Sequence, residues 1–253
     1  MIHLFSIVAA CLAGGLASLL MAGLLASRLP ARWLGRMVAF AAGTMLAAAL
    51  LDILPEAVEL AAGQHDALFA TLLAALVGFY LLERAALWRH AHPGEDDGHA
   101  HAAPTQGTAW VVLLGDGVHN FVDGVLLAAA FLADPWLGVT TTLAVVAHEV
   151  PQELGDFVLL LSAGWSRRKA LLANGASSLA SVLGGVVGWM ALDGAQGALP
   201  FALAVAAASF LYIAVADLMP LLHRRRRLDG FIPQSALLAA GLVCVPVVGH
   251  LLH

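Results

Sequence analysis

An all-α membrane protein with eight transmembrane helices is the fold class this sequence predicts, on three observations. Of 253 residues, 61% are hydrophobic and only 11% charged, with a mean hydropathy of +0.88; a water-soluble domain of this length needs a far more polar surface. Apolar stretches of about 20 residues, the length a bilayer core requires, can be placed eight times. The 12 basic residues fall into only four groups: Arg28, Arg32 and Arg36; Arg84 and Arg89; Arg167, Arg168 and Lys169; and Arg224 to Arg227. These follow the first, third, fifth and seventh stretches. The other loops carry Glu56, Glu59 and Asp66, then Asp134, then Asp193, and no Lys or Arg. The positive-inside rule puts the basic loops in the cytoplasm and both termini outside. A wrong helix count would scramble this alternation.

The stretches lie near 3–27, 33–55, 66–88, 108–133, 138–163, 169–192, 198–222 and 233–252, and the whole chain, 1–253, reads as a single transmembrane domain. Ile2 to Ala26 is expected to be a retained first helix: it is long enough to span, lacks a basic segment before it, and has its positive charge after the apolar run. The second helix carries Met45, read as packing. Near its outer end Asp52 and Glu56 are placed either to attract cations to an entrance or simply at the interface. The third helix leads into the one long connection, a cytoplasmic loop over 89–107. It holds His90, His92, His99 and His101 with Glu95, Asp96 and Asp97, among Ala, Gly and Pro. That tract is either a solvated linker or a loose, accessory cation-binding segment. Cys11 and Cys244 sit in apolar runs, belong to no CxxC pair, and read as small buried hydrophobes. The net charge of -5 leaves no basic footprint for nucleic acid.

The fourth and fifth helices break the apolar pattern. Asp116, His119, Asn120 and Asp123 interrupt one; His148, Glu149, Gln152, Glu153 and Asp156 interrupt the other. Hydrocarbon cannot solvate a carboxylate or an imidazole, so such groups at membrane depth mark a functional site by default. Relative to His119, Asp123 lies about 40° around the helix, Asp116 about 60° and Asn120 about 100°. Relative to His148, Gln152 lies about 40° away, Asp156 about 80°, Glu149 about 100° and Glu153 about 140°. Each set occupies one face, and an antiparallel pair joined through Asp134-Pro135 brings the faces together. His, Asp and Glu at i, i+3 and i+4 are how helical bundles build metal sites. Neither helix holds a Lys or Arg that would make this a salt-bridge network.

Imidazole and carboxylate without thiolate suit Zn²⁺, Fe²⁺, Mn²⁺ or Cd²⁺ rather than Cu⁺. Asp123 and Glu149 supply charge for one dication; a second needs Glu153, Asp116 or another helix. Glu153 is either a ligand or an anchor behind the ligands, and Asp116 is placed to orient the His119 ring. Pro151 withholds a donor from the Ala147 carbonyl and kinks the fifth helix beside the site. On the sixth helix Asn174, with Ser177, either bonds between helices or lines the path. Asp217 near the inner end of the seventh serves the exit or a helix cap; His250 and His253 read as incidental. Leu51-Asp52-Ile53-Leu54-Pro55 and Ala216-Asp217-Leu218-Met219-Pro220 share D-x-x-P in helices of opposite direction. That is what an inverted repeat leaves behind, and it implies a 3+2+3 plan with helices 1–3 and 6–8 flanking a central pair.

The ordered pair His119-Asn120-Phe121-Val122-Asp123-Gly124 and His148-Glu149-Val150-Pro151-Gln152-Glu153-Leu154-Gly155-Asp156 resembles the signatures of the ZIP (Zrt-, Irt-like protein) metal transporters, in the branch with HNFxDG and HExPHExGD. Gly43 to Ala57 (GTMLAAALLDILPEA) and the His-rich loop resemble the same family, so the likeness covers nearly the whole chain. The resemblance implies eight helices with both termini outside and alternating-access import of divalent metal, often zinc, into the cytoplasm. Its ligands fall on His119, Asn120 and Asp123 and on His148, Glu149 and Gln152, with one or two metals and Asp123 bridging when there are two. Gln152 stands where the branch commonly has His, and Asp52 where a His is common. The metal is then substrate and no resident cofactor or catalysis is expected. The partners are divalent metal ions and membrane lipid, the oligomeric state is open between monomer and homodimer, and the location is the plasma membrane, or the inner membrane of a Gram-negative cell. An intramembrane metal-dependent hydrolase is the alternative, since His148-Glu149 superficially resembles HExxH; the fifth position, Gln152, does not match.

Overall fold

In hydrocarbon an α-helix satisfies every backbone N–H and C=O within its own segment, and the apolar runs of this chain take that solution throughout. The computed structural model describes residues 2–25, 31–90, 106–223 and 228–252, and among these there is no strand. Helix α1 spans Ile2–Leu25. Helix α2 runs over Ala31–Ala47 and continues through a π-helical turn, Ala48–Ile53, into Leu54–Leu60. Helix α3 spans His65–His90, α4 Gln106–Ala133, α5 Pro135–Ser162 and α6 Arg167–Leu192. Helix α7 covers Leu199–Tyr212 and continues through a second π-helical turn, Ile213–Leu218, into Met219–His223; α8 is Leu228–Leu252. Seven of the eight are long and apolar enough to cross a membrane. The exception, α5, carries His148, Glu149, Glu153 and Asp156, and it keeps His148, Glu149 and Glu153 buried. The histidine tract within 91–105, Arg28, Arg224 to Arg227 and His253 lie outside the described residues.

The two D-x-x-P segments produce the same irregularity. A proline inside a helix withholds its donor and its ring presses on the carbonyl four residues back. Both helices absorb this by widening to i→i−5 just before the proline: Leu54 N–H donates to the Ala49 carbonyl, and Met219 N–H donates to the Ala214 carbonyl. The packing repeats as well. Helix α2 lies along α8 as α7 lies along α3, and α1 packs on α5 as α6 packs on α4. Exchanging α1, α2 and α3 with α6, α7 and α8, and α4 with α5, maps each of these pairs onto its counterpart. That is the relation expected of an inverted repeat, with α4 and α5 at its centre.

Small residues set how closely α4 and α6 approach. A Cβ placed on Gly124 would run into the Ser181 carbonyl, and one on Gly184 into the Phe121 carbonyl. Backbones in van der Waals contact are the usual product of glycine at a transmembrane crossing. Gly184→Ala is therefore expected to destabilise the bundle by at least ~1–3 kcal/mol, the cost of overpacking a filled interior, read as a lower melting temperature in detergent. The apolar interior is split in two. A large cluster around Met45, Leu127 and Phe210 fills one half, and a smaller one around Phe157, Leu160 and Trp165 fills the other. The polar residues of α4 and α5 lie between them.

Candidate metal centre

Asp134 is the whole connection between α4 and α5. It caps α5, its Oδ1 accepting from the backbone N–H of Trp136 at 2.8 Å and of Leu137 at 2.9 Å, and Pro135 follows at the first helical position where its missing donor costs nothing. So tight a turn fixes the register of the pair. His119 and His148 lie 14 and 13 residues from the turn-side ends Ala133 and Pro135, about 20 Å from the turn at 1.5 Å per residue. Equal depth is what lets two separate sequence blocks share one site. Helix α5 continues through Pro151 as a single helix.

Four side chains converge there. Single ligand atoms of His119, Asp123, His148 and Glu149 all lie within 4.8 Å of one another. His148 Nε2 is 3.1 Å from Asp123 Oδ2 and 3.7 Å from Glu149 Oε1. His119 Nε2 is 3.7 Å from the same aspartate oxygen, 3.5 Å from the same glutamate oxygen and 3.2 Å from His148 Nε2. A tetrahedral ion with bonds of about 2.0–2.1 Å has ligand-to-ligand edges of about 3.3–3.4 Å, and these distances straddle that value.

His148 Nδ1 lies 3.0 Å from the Ala144 carbonyl, which can only accept, so Nδ1 donates to it and Nε2 is the nitrogen that faces the cluster. Asp123 Oδ1 and Oδ2 and Glu149 Oε1 and Oε2 are buried without a hydrogen-bond donor. The four residues therefore turn ring nitrogens and carboxylate oxygens to one point, and no Lys or Arg on either helix answers them. Buried anionic oxygens are stable only when paired or coordinating a cation. Asp123 and Glu149 also line, with Asn120, Thr142, Ser181 and the Gly14-Gly15 face of α1, a small cavity of about 10 Å³.

The remaining sequence candidates form a layer on the α6 side of this cluster. Asp116 Oδ1 accepts from Asn120 Nδ2 at 3.2 Å and from Gln152 Nε2 at 3.1 Å, and its Oδ2 accepts from Ser177 Oγ. Asp116 thus ties α4, α5 and α6 together, and the His119 ring is not among the donors it accepts from. Asn120 also donates to the Asp116 carbonyl at 3.1 Å, which leaves its own amide oxygen as the end available to a cation. Glu153 Oε1 accepts from Ser178 Oγ at 2.6 Å, and Asn174 Nδ2 donates to the Glu153 carbonyl at 3.1 Å. Gln152 and Glu153 are therefore held by neighbours outside the four-residue cluster. Met45 is fully buried in the larger apolar cluster; Asp52 lies in the α2 π turn and Glu56 one turn on, both half-buried. Ser178 and Ser181 were not among the sequence candidates. The available signal was their spacing: Asn174, Ser177, Ser178 and Ser181 stand at i, i+3, i+4 and i+7, one polar stripe on an otherwise apolar helix.

Residues 88–248 match the protein family described as ZIP Zinc transporter. Zinc transporter ZIP10 of Homo sapiens is 37% identical over 143 residues, 54% of this chain and 17% of that protein. Metal cation symporter ZIP14 of Danio rerio is 40% identical over 141 residues, 53% of this chain and 28% of that protein. Zinc transporter foi of Drosophila melanogaster is 41% identical over 122 residues, 48% of this chain and 17% of that protein. The matched segments span less than a third of each of these relatives.

Proposed function

The chain belongs to the ZIP zinc transporter family, and from that membership we propose that it carries divalent transition-metal cations, Zn²⁺ foremost, into the cytoplasm by alternating access through the site between α4 and α5. The carrying observation is the convergence of His119, Asp123, His148 and Glu149, the last three of them buried, on one point. Two imidazoles and two carboxylates neutralise one dication and fit a tetrahedral ion. A second cation would use the other oxygens of Asp123 and Glu149 with the Asn120 amide oxygen, leaving Asp116 and Glu153 to offset its charge. The inverted repeat supports alternating access, since rocking one half of such a fold against the other exposes a central site to each side in turn. The basic loops support an orientation with both termini outside; the location proposed with this function is the plasma membrane, or the inner membrane of a Gram-negative cell.

The hydrolase reading has less support. It needs a second metal-binding histidine at position 152 and room for substrate and water. Gln152 occupies that position and is spent on Asp116, and the cavity at the site is of single-water size. Flux into proteoliposomes, with Zn²⁺, Cd²⁺, Fe²⁺ and Mn²⁺ in competition and with and without a pH gradient, tests the proposal. Saturable metal uptake supports it; cleavage of lipid or peptide with no metal flux would overturn it.

Gln152 bears on affinity. It lies one turn beyond His148, and a neutral amide is a weaker ligand than imidazole. Gln152→His is expected to tighten Zn²⁺ binding by about 10-fold or more, within the range by which groups around a metal site tune its affinity. Titration calorimetry measures it; an unchanged affinity would mean that position 152 does not reach the ion.

A further inference from the structure

A second concavity lies away from the metal centre, where α4 begins and α5 turns into α6. It is a groove of about 440 Å³ lined by Trp110, Trp165, Ser166, Arg168, Lys169 and Leu172. The two indole rings meet edge to face with centroids 5.2 Å apart. Lys169 Nζ sits 3.6 Å from the centre of the Trp165 ring and 5.8 Å from that of Trp110. Among the described residues, no carboxylate lies within ion-pairing distance of Arg168 or Lys169. Trp165 is only 5% exposed, and its indole N–H is buried without an acceptor.

The groove also has an apolar continuation. On α4, Trp110, Leu114 and Val118 stand at i, i+4 and i+8 with 60%, 73% and 59% of their surface exposed. On α6, Leu172, Leu179 and Leu183 are exposed by 64%, 58% and 60%. In a membrane-spanning bundle these stripes face acyl chains. Both start at the groove and run along the helices away from its basic end. Two cations and interfacial tryptophans at the head of two apolar tracks suit a phosphate that carries hydrocarbon. A free phosphate would use the groove and leave the tracks without a role.

We propose that this groove binds the headgroup of an anionic phospholipid in the leaflet on the basic side. The lipid phosphate lies against Arg168 and Lys169, and its acyl chains lie along the α4 and α6 stripes. The full chain is reconstituted in phosphatidylcholine vesicles containing either brominated phosphatidylglycerol or brominated phosphatidylcholine at equal fraction, and tryptophan quenching is read. The anionic lipid is expected to quench more strongly. In R168Q/K169Q the preference falls about 5-fold per charge removed, near 30-fold for the pair. R36Q/R84Q, which removes two charges from the same side away from the groove, keeps it. Inorganic phosphate in the buffer leaves the quenching unchanged. Equal quenching by both lipids, an equal loss in both double variants, or reversal by inorganic phosphate would each overturn the proposal. If circular dichroism shows R168Q/K169Q unfolded, K169Q alone carries the same test, with the 5-fold loss as its expected result.

Discussion

Asp123→Asn abolishes zinc flux in proteoliposomes and, at the same time, raises the melting temperature of the metal-free protein. Both effects follow from the same two oxygens. Asp123 and Glu149 carry the negative charge that a dication meets in the site, and a unit charge pair about 4 Å apart is worth about 4 kcal/mol at an effective dielectric of 20. Losing one carboxylate therefore lowers affinity by roughly 10³-fold on that interaction alone. Without metal the account reverses. Asp123 is 1% exposed, and its carboxylate faces His148 Nε2 at 3.1 Å with no Lys or Arg on either helix to neutralise it. A buried charge left unpaired destabilises a fold. Asparagine keeps the shape and removes the charge, so the metal-free protein gains ~1–3 kcal/mol, about 2–12 °C in a domain of this size. Zinc, which should raise the melting temperature of the native protein by binding only the folded state, no longer does so in the variant. His148→Ala loses flux likewise. A structural polar network predicts the opposite sign, since removing a partner from it would lower stability; wild-type flux in Asp123→Asn would remove the site from the pathway.

That the four clustered side chains stand out in the sequence follows from the solvent. In water a His-Asp-Glu cluster on a helix is unremarkable, whereas in a run of Leu, Ala and Val it has no inexpensive explanation. Helical arithmetic then put His119 and Asp123 on one face and His148 and Glu149 on another, and the single-residue turn at Asp134 brings those faces to the same depth. The D-x-x-P echo was legible because proline leaves a fixed backbone signature, here a π turn in each half. What the pattern did not carry was the division of labour within the polar faces. Angular position says that Gln152 and Asp123 both face inward; it does not say that Gln152 turns its amide toward Asp116 while Asp123 reaches the cluster. Rotamers depend on a third element, α6, whose serines bond to Asp116 and Glu153. Serine and alanine are close enough in size and polarity that a short hydroxyl stripe barely registers against an apolar background.

Asp116 is where that third element has its largest consequence. Its carboxylate accepts from Asn120 on α4, Gln152 on α5 and Ser177 on α6, so one side chain holds three helices beside the site. Asp116→Ala takes an acceptor from three donors; Asn120 retains the Asp116 carbonyl and Ser177 the Asn174 carbonyl, so only the half-buried Gln152 amide loses its partner outright. At about 1–3 kcal/mol for an unsatisfied group, the metal-free protein is expected to lose ~1–3 kcal/mol. Freed Asn120 and Gln152 amides can swing toward the lone pairs of the cluster, and groups that orient metal ligands typically change affinity by 10–100-fold when removed. Zinc affinity therefore falls in the same variant whose stability falls. The pairing of the two readouts separates this role from direct coordination. A ligand behaves as Asp123 does, with binding lost and metal-free stability gained; a residue that positions others loses both. Ser177→Ala combined with Asp116→Ala in a double-mutant cycle isolates the α6 contribution, with a coupling of about 1.5–3 kcal/mol for a hydrogen bond to a charged group. Wild-type melting and wild-type zinc affinity in Asp116→Ala would show that the three-helix junction contributes neither to the fold nor to the site. Reduced affinity with increased metal-free stability would move Asp116 into the ligand set.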